Sequence, residues 1–192
     1  LVVEVGDLDR AFDKMESQSR GAIRKAADEG ASVEIRPYAT AEDAAWISQM
    51  RSRVYTSKGY EVREGADLQY CRCMTRLEGA YLFTARNRNA IPVAYALVHL
   101  WSSFAYYSSG GVVRDQESPT GVGNLLHWEV MRFLHQQGVR WYDMSHSGLL
   151  SENADRRKVA EFKRSLGAEE YPYLKGLIFR DGIPGRSLVR GL

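Results

Sequence analysis

Cysteine is nearly absent from this chain: Cys71 and Cys73 are the only two in 192 residues. They stand two apart in a segment that reads as a helix, where such positions do not face each other. A mutual disulfide is therefore not expected, and two reduced thiols are. Histidine is also scarce. His99, His127, His135 and His146 have no metal-ligand spacing, so no metal site is expected. Long hydrophobic runs are missing: the longest, Ile91 to Trp101, is interrupted by His99 and is too short to cross a bilayer. The opening Leu1 to Val5 is short and meets charge at once, which predicts no signal peptide and a cytoplasmic protein. An excess of one charge is missing too. Lys and Arg total 26 against 24 Asp and Glu, a formal net charge of +2. Strong whole-chain attraction to phosphate is not expected, although a local basic patch stays open. With 44% hydrophobic and 26% charged residues, what remains is an ordinary globular composition, long enough for one domain or one and a half.

The elements follow from periodicity. Residues 1–5 read as a strand. Asp7 is placed to cap a long helix that runs to Gly30, with Leu8, Phe12, Met15 and Ile23 at helical spacing. Residues 31–37 alternate as a strand. A helix from Thr40 to Ser57, an exposed loop over 58–65 and a helix from Ala66 to Leu77 come next. Residues 80–87, 91–101 and 103–109 form an antiparallel meander with a hairpin-sized gap at Arg88-Asn89-Ala90. A loop holding Gly110, Gly111, Pro119, Gly121 and Gly123 leads into a helix from Gly121 to Gln137, with Val122, Leu125, Leu126, Val130, Phe133 and Leu134 as its apolar stripe. A short strand (139–145), a helix from Asp155 to Leu166 and strands near 170–174 and 176–180 complete the order, and residues 182–192 read as irregular. This pattern predicts an α+β, mixed α/β domain: a central, mostly antiparallel sheet with helices on both faces. Residues 1–30 read as a leading strand and helix, the tail of a preceding domain or an N-terminal extension, and residues 31–192 as the main domain.

Four local patterns carry chemistry. Asp143-Met144-Ser145-His146-Ser147 holds the residue types of a hydrolase triad. On a strand, however, Asp143 and Ser145 point one way and His146 the other, which leaves a polar strand end in a cleft. Ser118-Pro-Thr-Gly121-Val-Gly123 stands directly before a helix, where exposed backbone N–H groups can bind phosphate. Arg20 and Arg24 share a helix face by their i,i+4 spacing and are either solvated or phosphate contacts. Lys163 lies at the edge of the face formed by Val159, Phe162 and Leu166, where its stem can pack while its ammonium reaches a cleft.

The glycine loop, set between a meander and a long helix, resembles the pyrophosphate loop of acyltransferases of the GNAT superfamily, Gln/Arg-x-x-Gly-x-Gly/Ala, with Ser118 at the Gln/Arg position. Further blocks resemble the Fem-type aminoacyltransferases. They are Arg20-Gly-Ala-Ile-Arg24-Lys25-Ala26, Leu125-Leu-His-Trp128-Glu129 followed by Gly138-Val-Arg-Trp-Tyr142-Asp143, Phe162-Lys163-Arg-Ser-Leu-Gly167, and Tyr106-Tyr107-Ser-Ser-Gly110. They stand in the family's order over residues 12–175.

That resemblance implies a GNAT-like domain that moves an amino acid from aminoacyl-tRNA to an amine, forming a peptide bond without a resident cofactor. The acceptor would be a small peptide or a peptidoglycan precursor. Carried over, Phe162 would pack against the 3′ end of the tRNA and Lys163 would stabilise the tetrahedral intermediate. Asp143, His146, Glu129 or a substrate group could take the amine proton. Tyr106, Tyr107 and Trp128 could stack on bases or serve as core aromatics, and Arg20 and Arg24 could meet phosphates. Gly121 and Gly123 favour the alternative donor, acetyl-CoA or another acyl-CoA. Members of the Fem family typically have two GNAT-like domains, so a preceding domain could be missing here. A non-catalytic binding module or companion half of a larger enzyme is the remaining alternative.

Overall fold

A computed structural model describes residues 1–38, 40–60, 66–74, 78–146 and 149–172. In chain order its elements are β1 (Val2–Glu4), α1 (Leu8–Lys14), α2 (Ser17–Asp28), β2 (Ser32–Pro37), α3 (Ala41–Thr56), α4 (Ala66–Met74), β3 (Ala80–Arg86), β4 (Pro92–Trp101), β5 (Phe104–Val112), α5 (Val122–Gln136), β6 (Trp141–Asp143) and α6 (Ala154–Ser165). The strands form one sheet in the order β1-β6-β5-β4-β3-β2. Among the described strands, only β5 and β6 pair in parallel. The mixed α/β architecture with a mostly antiparallel sheet is the one expected from the sequence.

Side-chain alternation divides the central strands between two cores. Phe83, Ala96 and Val98 pack with Ala11 of α1, Ile23 of α2 and the stripe Val122, Leu125, Leu126, Val130 and Leu134 of α5. Leu82, Tyr95 and Leu97 face the other way, onto Ile47, Met50 and Val54 of α3 and Cys71 of α4. Each fully buried aliphatic side chain of this kind contributes roughly 1.5–3 kcal/mol. Residues 1–30 supply β1, α1 and α2. β1 pairs with β6, and Val2 also bridges Glu169.

Four expectations are corrected. The helix from Asp7 to Gly30 is two helices. Met15 takes extended backbone (φ −67°, ψ 144°), and the Arg20 guanidinium turns back to donate to the Asp13 and Met15 carbonyl oxygens that α1 leaves open. Gly110 and Gly111 belong to β5 rather than to a loop, paired with Ala96 and Tyr95. A Cβ at Gly110 would fall on the Tyr107 hydroxyl and the Tyr95 carbonyl, so only glycine lets the strand continue there. The strand expected over 139–145 spans only Trp141–Asp143, and Ser145 beyond it turns to φ 71°. By contrast, Thr40 starts α3 as expected, through a reciprocal capping box with Asp43. Residues 170–172, the described part of the strand expected near 170–174, form no strand; the chain there meets the sheet through the isolated bridge at Glu169. Positions 173–174, the strand expected near 176–180, residues 182–192, positions 61–65 of the expected loop and Leu77 lie outside the described residues.

A bulge decides what the sheet presents. Leu97 pairs with Ser109, but Val98 pairs with Tyr107, so Ser108 is the extra residue on β5. Tyr107 and Ser109, two apart, would otherwise share a face. Instead Tyr107 meets His127 of α5, and Ser109 meets Tyr95 and Arg51 on the opposite side. Among the described residues, no helix is long and apolar enough to cross a membrane.

Candidate functional site

Pairing between β5 and β6 stops at Tyr106 and Asp143, while β5 runs on to Val112. The opening is bounded by the start of α5, the chain after β6 and one face of α6. A cavity of about 1780 Å³ lies there and extends to Arg51 and Tyr55 of α3 and Tyr70 of α4.

The α6 wall carries the most constrained charge. Asn153 starts this helix by accepting from the backbone N–H groups of Asp155 (2.9 Å) and Arg156 (3.2 Å). Two turns on, Phe162 and Lys163 line the cavity. Val159, expected on the apolar face with them, is half exposed at the cavity instead. Lys163 is only 7% exposed, and its Nζ donates to the His146 carbonyl oxygen at 3.1 Å. Burial pulls its pKa below the ordinary value, while the Asp143 carboxylate opposes that shift. An ammonium has three N–H donors, so donors remain for a ligand.

Asp143 ends β6 with its Oδ1 accepting from the Ser145 N–H at 2.7 Å. That turn puts both Ser145 and His146 on the cavity wall, where strict strand alternation would have separated them. Tyr106 reaches the same turn through its hydroxyl, 3.4 Å from Ser145 Oγ.

The facing wall is aromatic and hydrogen-bonded. The Arg51 guanidinium lies over the Tyr55 and Tyr70 rings, 5.5 and 5.3 Å from their centroids. Its Nη1 donates to Ser109 Oγ at 2.8 Å, and that hydroxyl is 3.0 Å from the Tyr95 hydroxyl. Burial pushes the Tyr95 and Tyr107 phenols well above their ordinary range, so both stay protonated. Lys58, Arg114, Arg156 and Lys158 add positive charge to the lining. Asp155 is the only carboxylate among the described lining residues, and it accepts from the Tyr60 hydroxyl. The imbalance favours an anionic ligand.

The glycine loop opens onto the same space. Gly121 sits at φ 81° as the N-cap of α5, where no side chain caps the helix, and Gly121 and Gly123 line the cavity. The Val122 N–H donates to the Pro119 carbonyl oxygen at 3.2 Å, which leaves the rest of the first turn and the helix dipole to meet a ligand. A Cβ at Gly121 would fall on the Ala22 carbonyl oxygen of α2, so the close approach of α2 and α5 also requires glycine.

The structure thus brings Phe162, Lys163, His146, Tyr107, Gly121 and Gly123 to one cavity, with Asp143 and Tyr106 beside it. It places four of the expected residues elsewhere. Trp128 packs on Phe12 of α1, ring centroids 4.9 Å apart. Glu129 pairs with Arg132 at 2.9 Å. Arg20 closes the α1–α2 turn, and Arg24 is exposed on α2. Sequence reasoning missed Arg51, Tyr55, Tyr70 and Tyr95, which only the fold brings to β5. It also passed over His127, although a histidine inside an apolar stripe was a usable signal. Among the described residues, no group of three or more His, Cys, Asp or Glu is placed to hold a metal ion.

Known proteins give the fold its context. FemX matches with a TM-score of 0.66 at 12% identity, over 86% of this chain and 57% of that one. L-PGS from Bacillus licheniformis matches with a TM-score of 0.54 at 12% identity, over 75% of this chain and 45% of that one. The chain thus spans about half the length of each. An aminoglycoside antibiotic 6′-N-acetyltransferase from Acinetobacter baumannii matches with a TM-score of 0.52 at 14% identity, over 79% of this chain and 99% of that one. No curated protein sequence matches the chain. The family model described as acetyltransferase (GNAT) domain matches residues 13–170, which takes in every cavity wall described above. The chain belongs to the GNAT acetyltransferase-domain family.

Proposed function

We propose that this chain is an amide-forming transferase that moves an aminoacyl group from aminoacyl-tRNA to the amine of a small peptide or peptidoglycan-precursor acceptor. The observation that carries the reading is the buried Lys163 ammonium beside Phe162, at the wall of a large cavity rich in cations. The Phe162-Lys163 block is also the one whose resemblance to Fem-type enzymes implies contact with the reacting end of the tRNA. The likeness of fold to FemX supports the same choice of donor.

An aminoacyl ester is already activated, so the protein's task is positioning and charge stabilisation. The amine nitrogen adds to the ester carbonyl carbon and the carbonyl π pair moves onto oxygen, opposite the Lys163 ammonium. When the intermediate collapses, the C–N bond stays, the C–O bond to the ribose breaks, and the amine proton ends on the ribose oxygen. His146 on the cavity wall, Asp143 beside it, or a substrate group relays that proton. Lys58, Arg114, Arg156 and Lys158 would meet phosphates of the RNA.

The N-terminus of α5 at Gly121 and Gly123, which no side chain caps, favours a second reading, an acyl-CoA-dependent N-acyltransferase whose pyrophosphate would occupy that turn. The two readings separate in one experiment. The purified chain is incubated with radiolabelled aminoacyl-tRNAs and a mixture of amines and small peptides, with and without ribonuclease, beside a parallel acetyl-CoA reaction. Ribonuclease-sensitive transfer is the expected result. Transfer from acetyl-CoA alone would replace the tRNA reading with the second one.

A further inference from the structure

His127 is one turn into α5, 5% exposed, yet it lines the cavity. Its Nδ1 is 3.1 Å from the Tyr142 hydroxyl. Tyr142 is fully buried, and that contact is its hydroxyl's hydrogen bond among the described residues. Burial pushes the phenol's ionisation well up, so it keeps its proton and the proton needs an acceptor. If Nδ1 carried the imidazole proton, it would donate to the phenolic oxygen and leave the O–H without an acceptor in an apolar pocket. With Tyr142 donating to Nδ1, one bond satisfies both atoms and the ring proton lies on Nε2.

Nε2 has no hydrogen-bond partner among the described residues, so its N–H is left for the cavity. Three rings fix the plane of the imidazole: Tyr107 edge-on at 5.1 Å, Phe162 at 5.7 Å and Tyr142 at 6.2 Å between centroids. Burial, reinforced by the nearby Lys163 ammonium, holds the His127 pKa down to about 3, which makes it a poor base at neutral pH.

We propose that His127 is a catalytic residue of the transfer site: Tyr142 holds the ring proton on Nε2, and that N–H binds the donor's carbonyl oxygen together with the Lys163 ammonium. The inference rests on the acyl-transfer reading and deepens it. His127 gives a hydrogen bond and no proton. As the amine adds, the carbonyl π pair moves to the oxygen that both donors face; when the leaving group departs, that pair re-forms the carbonyl. The role is the same whether the donor is an ester of tRNA or a thioester of coenzyme A. Tyr142 is a positioning residue, acting only through the imidazole.

The test joins a spectroscopic and a kinetic readout on the full chain. With ¹⁵N-labelled histidine, long-range ¹H–¹⁵N correlation at pH 7 is expected to show His127 protonated on Nε2, with Tyr142→Phe populating the other tautomer. In steady-state transfer with aminoacyl-tRNA or acetyl-CoA, His127→Leu is expected to lower kcat by about 10²-fold with little change in KM. His127→Gln, whose amide N–H reaches the same region, is expected to recover roughly a tenth of the rate or more. A wild-type ring protonated on Nδ1, or a folded His127→Leu with wild-type kcat, overturns the proposal while leaving the transferase reading intact. A wild-type chain that transfers from neither donor overturns that reading, and the catalytic role with it.

Discussion

The Lys163 ammonium donates to the His146 carbonyl oxygen at 3.1 Å, which ties the last turn of α6 to the chain that leaves the sheet after β6. This contact fixes a cation at the cavity wall and opposite the start of α5. It gives the site its clearest test.

Lys163→Met keeps the buried stem and removes the charge. Turnover is expected to fall by about 10²-fold or more, because the oxyanion loses its cationic partner. The circular dichroism spectrum is expected to stay that of wild type. Steady-state kinetics beside a thermal melt checks both, and wild-type turnover would remove Lys163 from the mechanism.

The pH profile has a definite sign. Stabilising an oxyanion requires the ammonium form, so turnover is expected to decline as pH rises through a Lys163 pKa that burial places below its ordinary 10.5. Asp143 opposes that shift, so Asp143→Asn should move the alkaline limb to lower pH. The effect on stability runs the other way. A lysine whose folded pKa is depressed binds fewer protons folded than unfolded over that interval, so its contribution to stability rises with pH from the folded pKa toward 10.5. A kcat profile from pH 6 to 10 for the two proteins decides the point, and an unmoved limb would exclude Asp143 as the group acting on Lys163.

Gly121→Ala tests the close approach of α2 and α5. The new Cβ would meet the Ala22 backbone oxygen, and alanine would also be held at φ 81°. Urea unfolding is expected to show a loss on the order of 2 kcal/mol. Gly59→Ala, at φ 78° with nothing within 4 Å, should cost less.

The basic lining predicts salt dependence. If RNA phosphates meet it, Arg114→Ala and Arg156→Ala should each reduce the slope of log affinity against log salt for aminoacyl-tRNA by about one. Arg20→Ala should lower the melting temperature without changing that slope, because Arg20 serves the carbonyls at the end of α1. A slope unchanged in the Arg114 and Arg156 variants would argue against phosphate contacts there.

Periodicity and capping chemistry made much of the fold legible. The β-rich runs at 80–87 and 91–101, the stripe of α5 and the helix start at Thr40 are local properties, and the structure has each of them. The break at Met15 was not legible, because α1 and α2 join two helical patterns that continue one another in sequence. Its signature is the return of the Arg20 guanidinium onto the Asp13 and Met15 carbonyl oxygens at the end of α1.

The sequence by itself determined a mixed α/β domain, the helix that begins at the glycine loop, and the place of Lys163 at the edge of the face that holds Phe162 and Leu166, since these depend on spacings of a few residues. Only the tertiary structure decided which of these residues share a cavity. The bulge at Ser108 sends Tyr107 toward His127 and Ser109 toward Arg51. The end of β5–β6 pairing at Tyr106 opens the space between them. Packing on Phe12 draws Trp128 into the α1 interface. Such outcomes depend on register and on contacts between residues far apart in the chain, which no local pattern encodes.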